Sequence, residues 1–227
     1  IFSNSVAFAA LKEDGSVITW GLDEAGGDSS LVADSISSDV INIYSSEVSF
    51  LAVKKDGSIV TWGLNDGGGD SSEIDVSAGI QKIISASTSY AILLKDGSVV
   101  TWGQPSLLVD FDNGNDIPID PKKSQNDIKQ IVSSNYAFAA LKNDGSVFTW
   151  GGEKTGGNIS SVSEKLNSGV VLIHSTGSNF AALKEDGTFL IWDGGTENYE
   201  YKIEESSEDI EKIISSGSAY SILFKNG

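Results

Sequence analysis

Three sets of residues have the makings of a chemical site. The first is a carboxylate that recurs. Asp14, Asp56, Asp96, Asp144 and Asp186 each stand immediately before a glycine, and Asn226 holds the same place before Gly227. Carboxylates repeated at one offset could line up cations or supply general acids. They also sit in Lys-x-Asp-Gly type segments between apolar runs. There glycine supplies a positive φ, and aspartate accepts hydrogen bonds from the turn backbone. Turn chemistry accounts for all six positions without a ligand.

The second set lies in acidic, glycine-rich segments. LDEAGGDSS follows Gly21 and LNDGGGDSS follows Gly63. Asp23, Glu24, Asp28, Asn65, Asp66 and Asp70 put carboxylate and amide oxygens beside glycines, the donor type that calcium takes. The glycine-rich calcium nonapeptide is not matched at Gly67–Asp70. The six are therefore read as solvated loop residues and as candidate binding residues, because variable loops on a rigid scaffold carry function. GEKTGGNISS after Gly151 and GGTENYEYKIEESSED after Asp193 are the corresponding segments further on.

The third set is an excursion. Asp110, Asp112, Asn113, Asn115 and Asp116 crowd around Gly114, and Pro105, Pro118 and Pro121 are all the prolines of the chain. The spacing approaches a calcium loop, with Asp110, Asp112, Asn115 and Asp116 as the candidate ligands. The glycine falls one place early for the EF-hand pattern, and no glutamate closes the loop. An inserted loop of turn residues is the competing reading, and the prolines argue against a strand there.

His174 is the sole histidine. It ends the run VVLIH, where other copies of that run have Tyr44, Ile84, Val132 and Ile214. A slot filled elsewhere by apolar side chains predicts a packed histidine, and no nucleophile accompanies it. The G-x-S-x-G, Walker, dinucleotide and H-E-x-x-H patterns are all missing. No carboxylate pair stands out from the repeated ones as a glycoside-cleaving pair. The expectation is a chain that is not an enzyme, with no cofactor beyond the calcium considered above.

Composition narrows the partners. The 227 residues carry 32 acidic side chains against 15 lysines, with no arginine, for a formal net charge of −17. Nucleic-acid affinity comes largely from neutralising phosphates, so a nucleic-acid partner is excluded. No apolar run reaches the roughly 18–20 residues of a membrane helix, so no membrane insertion is expected. With no cysteine there is no disulfide framework and no thiolate site. That avoidance is compatible with an exported bacterial protein, although no signal segment opens the chain. The sequence starts at Ile1 and stops at Gly227 inside a repeated motif, which predicts a piece of a longer protein.

The elements that must position these residues are repeats. AFAALKEDGSVITWG at Ala7–Gly21 returns at Ser49–Gly63, Ser89–Gly103, Ala137–Gly151 and Asn179–Asp193, and begins again at Ala219. The leading aromatics Phe8, Phe50, Tyr90, Phe138, Phe180 and Tyr220 are separated by 42, 40, 48, 42 and 40 residues. Trp20, Trp62, Trp102, Trp150 and Trp192 follow them at one constant offset. Each block reads as a β-hairpin, and a run such as Val40–Tyr44 or Ile80–Ile84 precedes it as a third strand. Hairpin strands that are apolar at nearly every position need cover on both faces, which stacked neighbouring sheets supply. The tryptophans are expected to be packing anchors between sheets; a ring of glycan-stacking indoles is the alternative.

The alternation of A-F-A-A-L-K-x-D-G-S-V-x-T-W-G with a G-V-x-x-I strand resembles the RCC1 repeat superfamily. Its short period is closer to bacterial members with three-stranded blades, among them the β-lactamase-inhibitory propellers. The GGDSS links at Gly26–Ser30 and Gly68–Ser72 resemble repeats of very large secreted or surface proteins of marine bacteria. The resemblance covers essentially the whole chain. It implies an all-β fold: a β-propeller of RCC1-like three- to four-stranded blades, about six of them partly or wholly present. The expected organisation is one domain over residues 1–227, with repeats near 3–44, 45–84, 85–132, 133–174 and 175–214 and a truncated copy at 215–227. An intact protein of about six or seven blades is expected. The implied function is a non-enzymatic protein- or glycan-interaction module, an adhesive or scaffolding part of an exported bacterial protein at the cell surface or outside the cell. An enzyme inhibitor of the β-lactamase-inhibitory kind is the alternative.

Overall fold

The computed structural model describes residues 1–104, 127–193, 199–202, 210–217 and 219–225. The chain falls into two compact units, Ile1–Leu108 and Val109–Gly227. Asp110, Asp112, Asn113, Asn115 and Asp116, with the three prolines, lie outside the described residues, as do Asn226 and Gly227.

The first unit holds three antiparallel sheets, each of three strands in chain order. They are β1 Phe2–Ser3, β2 Ala7–Leu11 and β3 Val17–Gly21; β4 Val40–Ser45, β5 Ser49–Lys54 and β6 Ile59–Gly63; β7 Ile80–Ser85, β8 Ser89–Leu94 and β9 Val99–Gly103. The second unit repeats the plan with β10 Ile128–Ser133, β11 Ala137–Lys142 and β12 Val147–Gly151. Its next sheet has four strands, β13 Val170–Ser175, β14 Phe180–Lys184, β15 Thr188–Trp192 and β16 Tyr199–Lys202. Its last has two, β17 Ile210–Ser215 and β18 Tyr220–Phe224. The short helix α1, Ser163–Leu166, buries Leu166 in the apolar layer that includes Val162, Val170 and Ile173.

The hairpins form because their turns are chemically specified. Gly15, Gly57, Gly97, Gly145 and Gly187 have φ of +80, +85, +82, +81 and +80°. The preceding carboxylates close the turn. Asp14 accepts from the Ser16 amide at 2.9 Å and from its hydroxyl at 2.6 Å, and Asp56, Asp96 and Asp144 do the same with Ser58, Ser98 and Ser146. These bonds to Ser16, helped by Lys12, hold the Asp14 carboxyl down at about 2.

The first strands of three sheets, β4, β10 and β13, contain a spacing that a flat strand cannot use. Val40 and Ile43, Ile128 and Ile131, and Val170 and Ile173 are both buried although three residues apart. Strand side chains alternate with period two. A β-bulge resolves the conflict: the register against the middle strand shifts between Val40 and Asn42, Ile128 and Gln130, and Val170 and Leu172. One extra residue returns the second apolar side chain to the buried face.

The core is a series of inter-sheet layers. In the first unit Ala7, Ala9 and Val17 of one sheet pack with Ile43, Phe50, Ala52 and Trp62 of the next. Leu51, from the other face of β5, packs with Ile83, Tyr90 and Ile92. In the second unit Ala137, Ala139 and Val147 meet Phe180, Ala182, Leu190 and Trp192, and Ala181, Leu183 and Phe189 meet Ile213 and Tyr220. β5 and β14 thus each face two neighbouring sheets, which is why they are apolar at successive positions.

Candidate functional site

Strands β3, β6 and β12 end in Trp-Gly and run into glycine-rich turns at one end of their sheets. Asp23–Ala25, Asn65–Gly67 and Glu153–Thr155 form single 3-10 turns, closed by Gly26, Gly68 and Gly156 in the left-handed region. The turns are tied to their own sheets: the Leu22 amide donates to the Val6 carbonyl and the Leu64 amide to the Val48 carbonyl, each at 3.0 Å. Gly27 and Gly69 fold back, their amides donating to the Leu22 and Leu64 carbonyls at 2.9 Å.

The same turns are gripped by the following sheet. Phe50 and Trp62 stand directly opposite on β5 and β6 and stack with centroids 5.4 Å apart. Trp62 Nε1 donates to the Gly26 carbonyl at 3.1 Å, Trp102 Nε1 to Gly68 at 3.0 Å and Trp192 Nε1 to Gly156 at 3.2 Å. Glycine is needed at the contact. A Cβ on Gly26 would lie 2.8 Å from Phe50 Cδ2, and one on Gly68 2.7 Å from the Tyr90 ring. Tyr90 adds a polar clasp: it takes a hydrogen bond from the Ser46 amide at 2.8 Å and donates to the Ser49 carbonyl at 3.0 Å. Burial pushes its phenol up to about 12.

The turns therefore display their side chains from a fixed backbone. Asp23, Glu24, Asn65 and Asp66 are exposed. Beside them Leu22 and Leu64 are exposed as well, the former at 53%. Within the first unit, consecutive rim turns thus offer one leucine followed by acidic or amide residues. Asp28 and Asp70 are exposed but engaged, accepting from the Ser30 and Ser72 amides at 2.8 and 2.9 Å, which lowers both carboxyls. They act as turn-formers, one step removed from the display positions. The leucines were not singled out from the sequence; the readable signal was an apolar residue directly after Trp-Gly in a solvent-facing turn.

The five tryptophans separate by position. Trp62, Trp150 and Trp192 are buried and Trp102 is partly buried, whereas Trp20, in the first sheet, is 43% exposed. Among the described residues Trp150 Nε1 and Ser89 Oγ are buried and have no hydrogen-bond partner. In the repeats where the equivalent indole is satisfied, the preceding segment has a Gly-Gly pair; the segment before Trp150, Gln104–Asn126, has none.

Among the described residues no group of three or more histidine, aspartate or glutamate side chains is arranged to hold a metal ion. His174 is half-buried, opposite Ala181, and desolvation lowers its imidazole. At the opposite end of the sheets a cleft of about 270 Å³ is lined by Asp56, Gly57, Ser58, Val76, Ser77 and Gly79, a turn and a loop backbone. No helix among the described residues is long and apolar enough to cross a membrane.

No protein-family model matches the chain, and no curated protein sequence matches it. Solved structures do. Yeast RCC1 (Prp20), crystallised with Kap60 bound, superposes with a TM-score of 0.55 at 15% identity, covering 99% of this chain and 67% of that one. Human WBSCR16 superposes with a TM-score of 0.51 at 14% identity, covering 98% and 70%. Prp20p from Saccharomyces cerevisiae gives 0.48 at 16% identity, covering 83% of this chain and 55% of that one. The chain thus spans between 55% and 70% of the propellers it resembles. The first two similarities show the fold: an all-β, RCC1-like β-propeller built of blades with three to four strands.

Proposed function

We propose that this chain is a non-catalytic binding module whose partner is a protein. The observation that carries the reading is the rim: Leu22 with Asp23 and Glu24, and Leu64 with Asn65 and Asp66, exposed on turns that the next blade locks from behind. A rigid display of apolar and acidic groups suits a partner surface that pairs aliphatic or aromatic side chains with lysine and arginine. The net charge of −17 favours such a partner at long range. The RCC1-like fold is consistent with a scaffold for protein contacts, and yeast RCC1 was crystallised with Kap60 bound.

Enzyme inhibition of the β-lactamase-inhibitory kind is the more specialised form of the same activity, and would use the same rim. Placement outside the cell or at the bacterial surface rests on the lack of cysteine and on the repeat resemblance. The described residues are read as blades of one propeller domain. A glycan partner is the second reading of the interaction; it would need exposed stacking aromatics on the rim, where the structure places leucines.

Selection from a displayed random-peptide library tests the proposal. Peptides carrying lysine or arginine beside apolar residues should be enriched at low salt and weakened at high salt. They should be lost from a chain carrying Leu22→Ser, Leu64→Ser, Asp23→Asn and Asp66→Asn. Enrichment that is indifferent to those four changes would overturn it.

A further inference from the structure

The segment after each of the three Gly-Gly turns is built on one frame. Asp28, Asp70 and Asn158 accept from the amides of Ser30, Ser72 and Ser160 at 2.8, 2.9 and 2.9 Å. Two residues on, the amides of Val32, Ile74 and Val162 donate to the carbonyls of Ser29, Ser71 and Ile159 at 3.0, 3.0 and 2.9 Å. The third strand of the same blade holds the frame as well. Thr19 and Thr149 hydroxyls donate to the Gly27 and Gly157 carbonyls at 2.9 and 2.6 Å, and Thr61 Oγ1 donates to Ser71 Oγ at 3.0 Å. Val32 and Val162 pack into the apolar layers of their units, and Ile74 is half-buried. One side chain stands between the two backbone bonds, and it differs every time: Leu31, Glu73 and Ser161. All three are exposed, Leu31 completely, at 100%. A leucine that buries no surface adds nothing to its fold by burial. Glutamate and serine occupy the same place on the same bonds. A constant frame under an exchangeable side chain is how one scaffold carries different specificities.

We infer that Leu31, Glu73 and Ser161 are specificity-determining contacts, each blade lending one exchangeable side chain to the surface that meets a protein partner. The inference rests on the binding role proposed for the rim. Leu31 follows Leu22 and Asp23 on one loop, and Glu73 follows Leu64 and Asp66 on the next. The rim turns supply the same kind of contact in both blades, a leucine with acidic or amide groups. The frame position supplies the difference. Leu31 selects an apolar recess on the partner, and Glu73 selects a lysine or arginine.

Parallel selections from a displayed random-peptide library, on the unaltered chain and on Leu31→Glu, test this. Leu31→Glu should melt with the unaltered chain, because the leucine is fully exposed. Should it melt lower, Leu31→Ser, which installs the side chain found at Ser161, serves the same scheme. Peptides enriched on the unaltered chain should bind the variant about tenfold more weakly, the loss expected for one seated leucine. Leu31→Glu should enrich a second set of peptides, with a lysine or arginine in place of one apolar residue. Glu73→Leu should move the preference the other way. Ala33→Glu adds the same charge at an exposed position two residues on and should keep the original peptides. The inference is overturned if Leu31→Glu enriches the same peptides with the same affinity, or if Ala33→Glu changes the set as much. In the first case, loss of those peptides from the fourfold rim variant would leave the rim reading standing by itself. Peptides indifferent to the fourfold variant remove the rim reading whatever Leu31→Glu does, and enrichment on neither chain removes both.

Discussion

The indole Nε1 of Trp62 donates a hydrogen bond to the carbonyl oxygen of Gly26, 36 residues earlier in the chain, at 3.1 Å. That bond joins two recurring features of the sequence, the Trp-Gly strand end and the Gly-Gly turn. It also ties the packing of one blade to the rim loop of the blade before it. A binding turn held this way does not have to be ordered when a partner arrives, which removes part of the entropic cost of association.

The glycine at this contact should not tolerate a side chain. Gly26 has φ of +95°, and a Cβ there would meet the Phe50 ring at 2.8 Å. Gly26→Ala is expected to destabilise the chain by about 1–3 kcal/mol, through backbone strain and displacement of the ring. Gly217 has nothing within 4 Å of its would-be Cβ, so Gly217→Ala is the control and should be near neutral. Chemical denaturation of the two variants reads the difference.

Equivalent tryptophans should differ in worth by position. Trp62 is 4% exposed and Trp20 is 43% exposed, though both stack on an opposite aromatic at 5.4 Å. Trp62→Ala is expected to cost about 3–5 kcal/mol, the range for emptying a buried aromatic site. Trp20→Ala should cost well under half of that. Equal losses at the two positions would contradict the layered packing.

The turn carboxylates set an acid limit. Bonds from Ser16 and the charge of Lys12 hold Asp14 at about 2, and Asp56, Asp96 and Asp144 are lowered by their serines. A carboxyl lowered by folding stabilises the protein above its unfolded value near 3.8 and stops doing so as pH falls through the folded value. Stability should therefore decline from about pH 4 down to about pH 2. Replacing all four with asparagine should flatten that decline, as followed by melting temperature across pH.

Tyr90 sets an alkaline one. Its phenol is raised to about 12 by burial, so folding favours the neutral form. The stabilisation is complete below the ordinary value near 10 and is lost as pH rises through 12. Tyr90→Phe should lessen the slope between those limits, while lowering stability at neutral pH because the hydroxyl's bonds with the Ser46 amide and the Ser49 carbonyl are lost, the Ser46 amide keeping only its 3.1 Å bond to the Ser49 carbonyl.

Calcium should leave the described loops untouched. Asp28 and Asp70 already use a carboxylate oxygen on a serine amide, and the neighbouring acidic residues do not converge. Melting temperature is expected to be the same in millimolar calcium and in chelator, since a ligand stabilises only what binds it. A rise with calcium would assign an ion to the segment containing Asp110, Asp112, Asn115 and Asp116.

The sequence made the fold legible because each repeat is a complete local instruction. The Asp-Gly turn, the aromatic twelve residues before its tryptophan and the doubly apolar middle strand all point to stacked hairpins. The bulge was not legible, since Val40 and Ile43 suggest a helical spacing until the register against β5 is known. The site was half legible. The acidic turn residues could be picked out by composition, but Asp23 and Asp28 read alike in sequence and differ in structure, one displayed and one bonded to the turn backbone. Trp20 shows the same limit: its motif is identical to that of Trp62, and only the lack of a covering blade among the described residues sets it apart.

The claim that binding lies on the Gly-Gly rim is tested most directly by amide chemical-shift mapping, with a peptide from the selection titrated into the ¹⁵N-labelled chain. Shifts concentrated at Leu22–Asp28 and Leu64–Asp70 are the predicted result. Shifts concentrated at the opposite end, around Asp14, Asp56 and Asp96, with the rim unmoved, would contradict it.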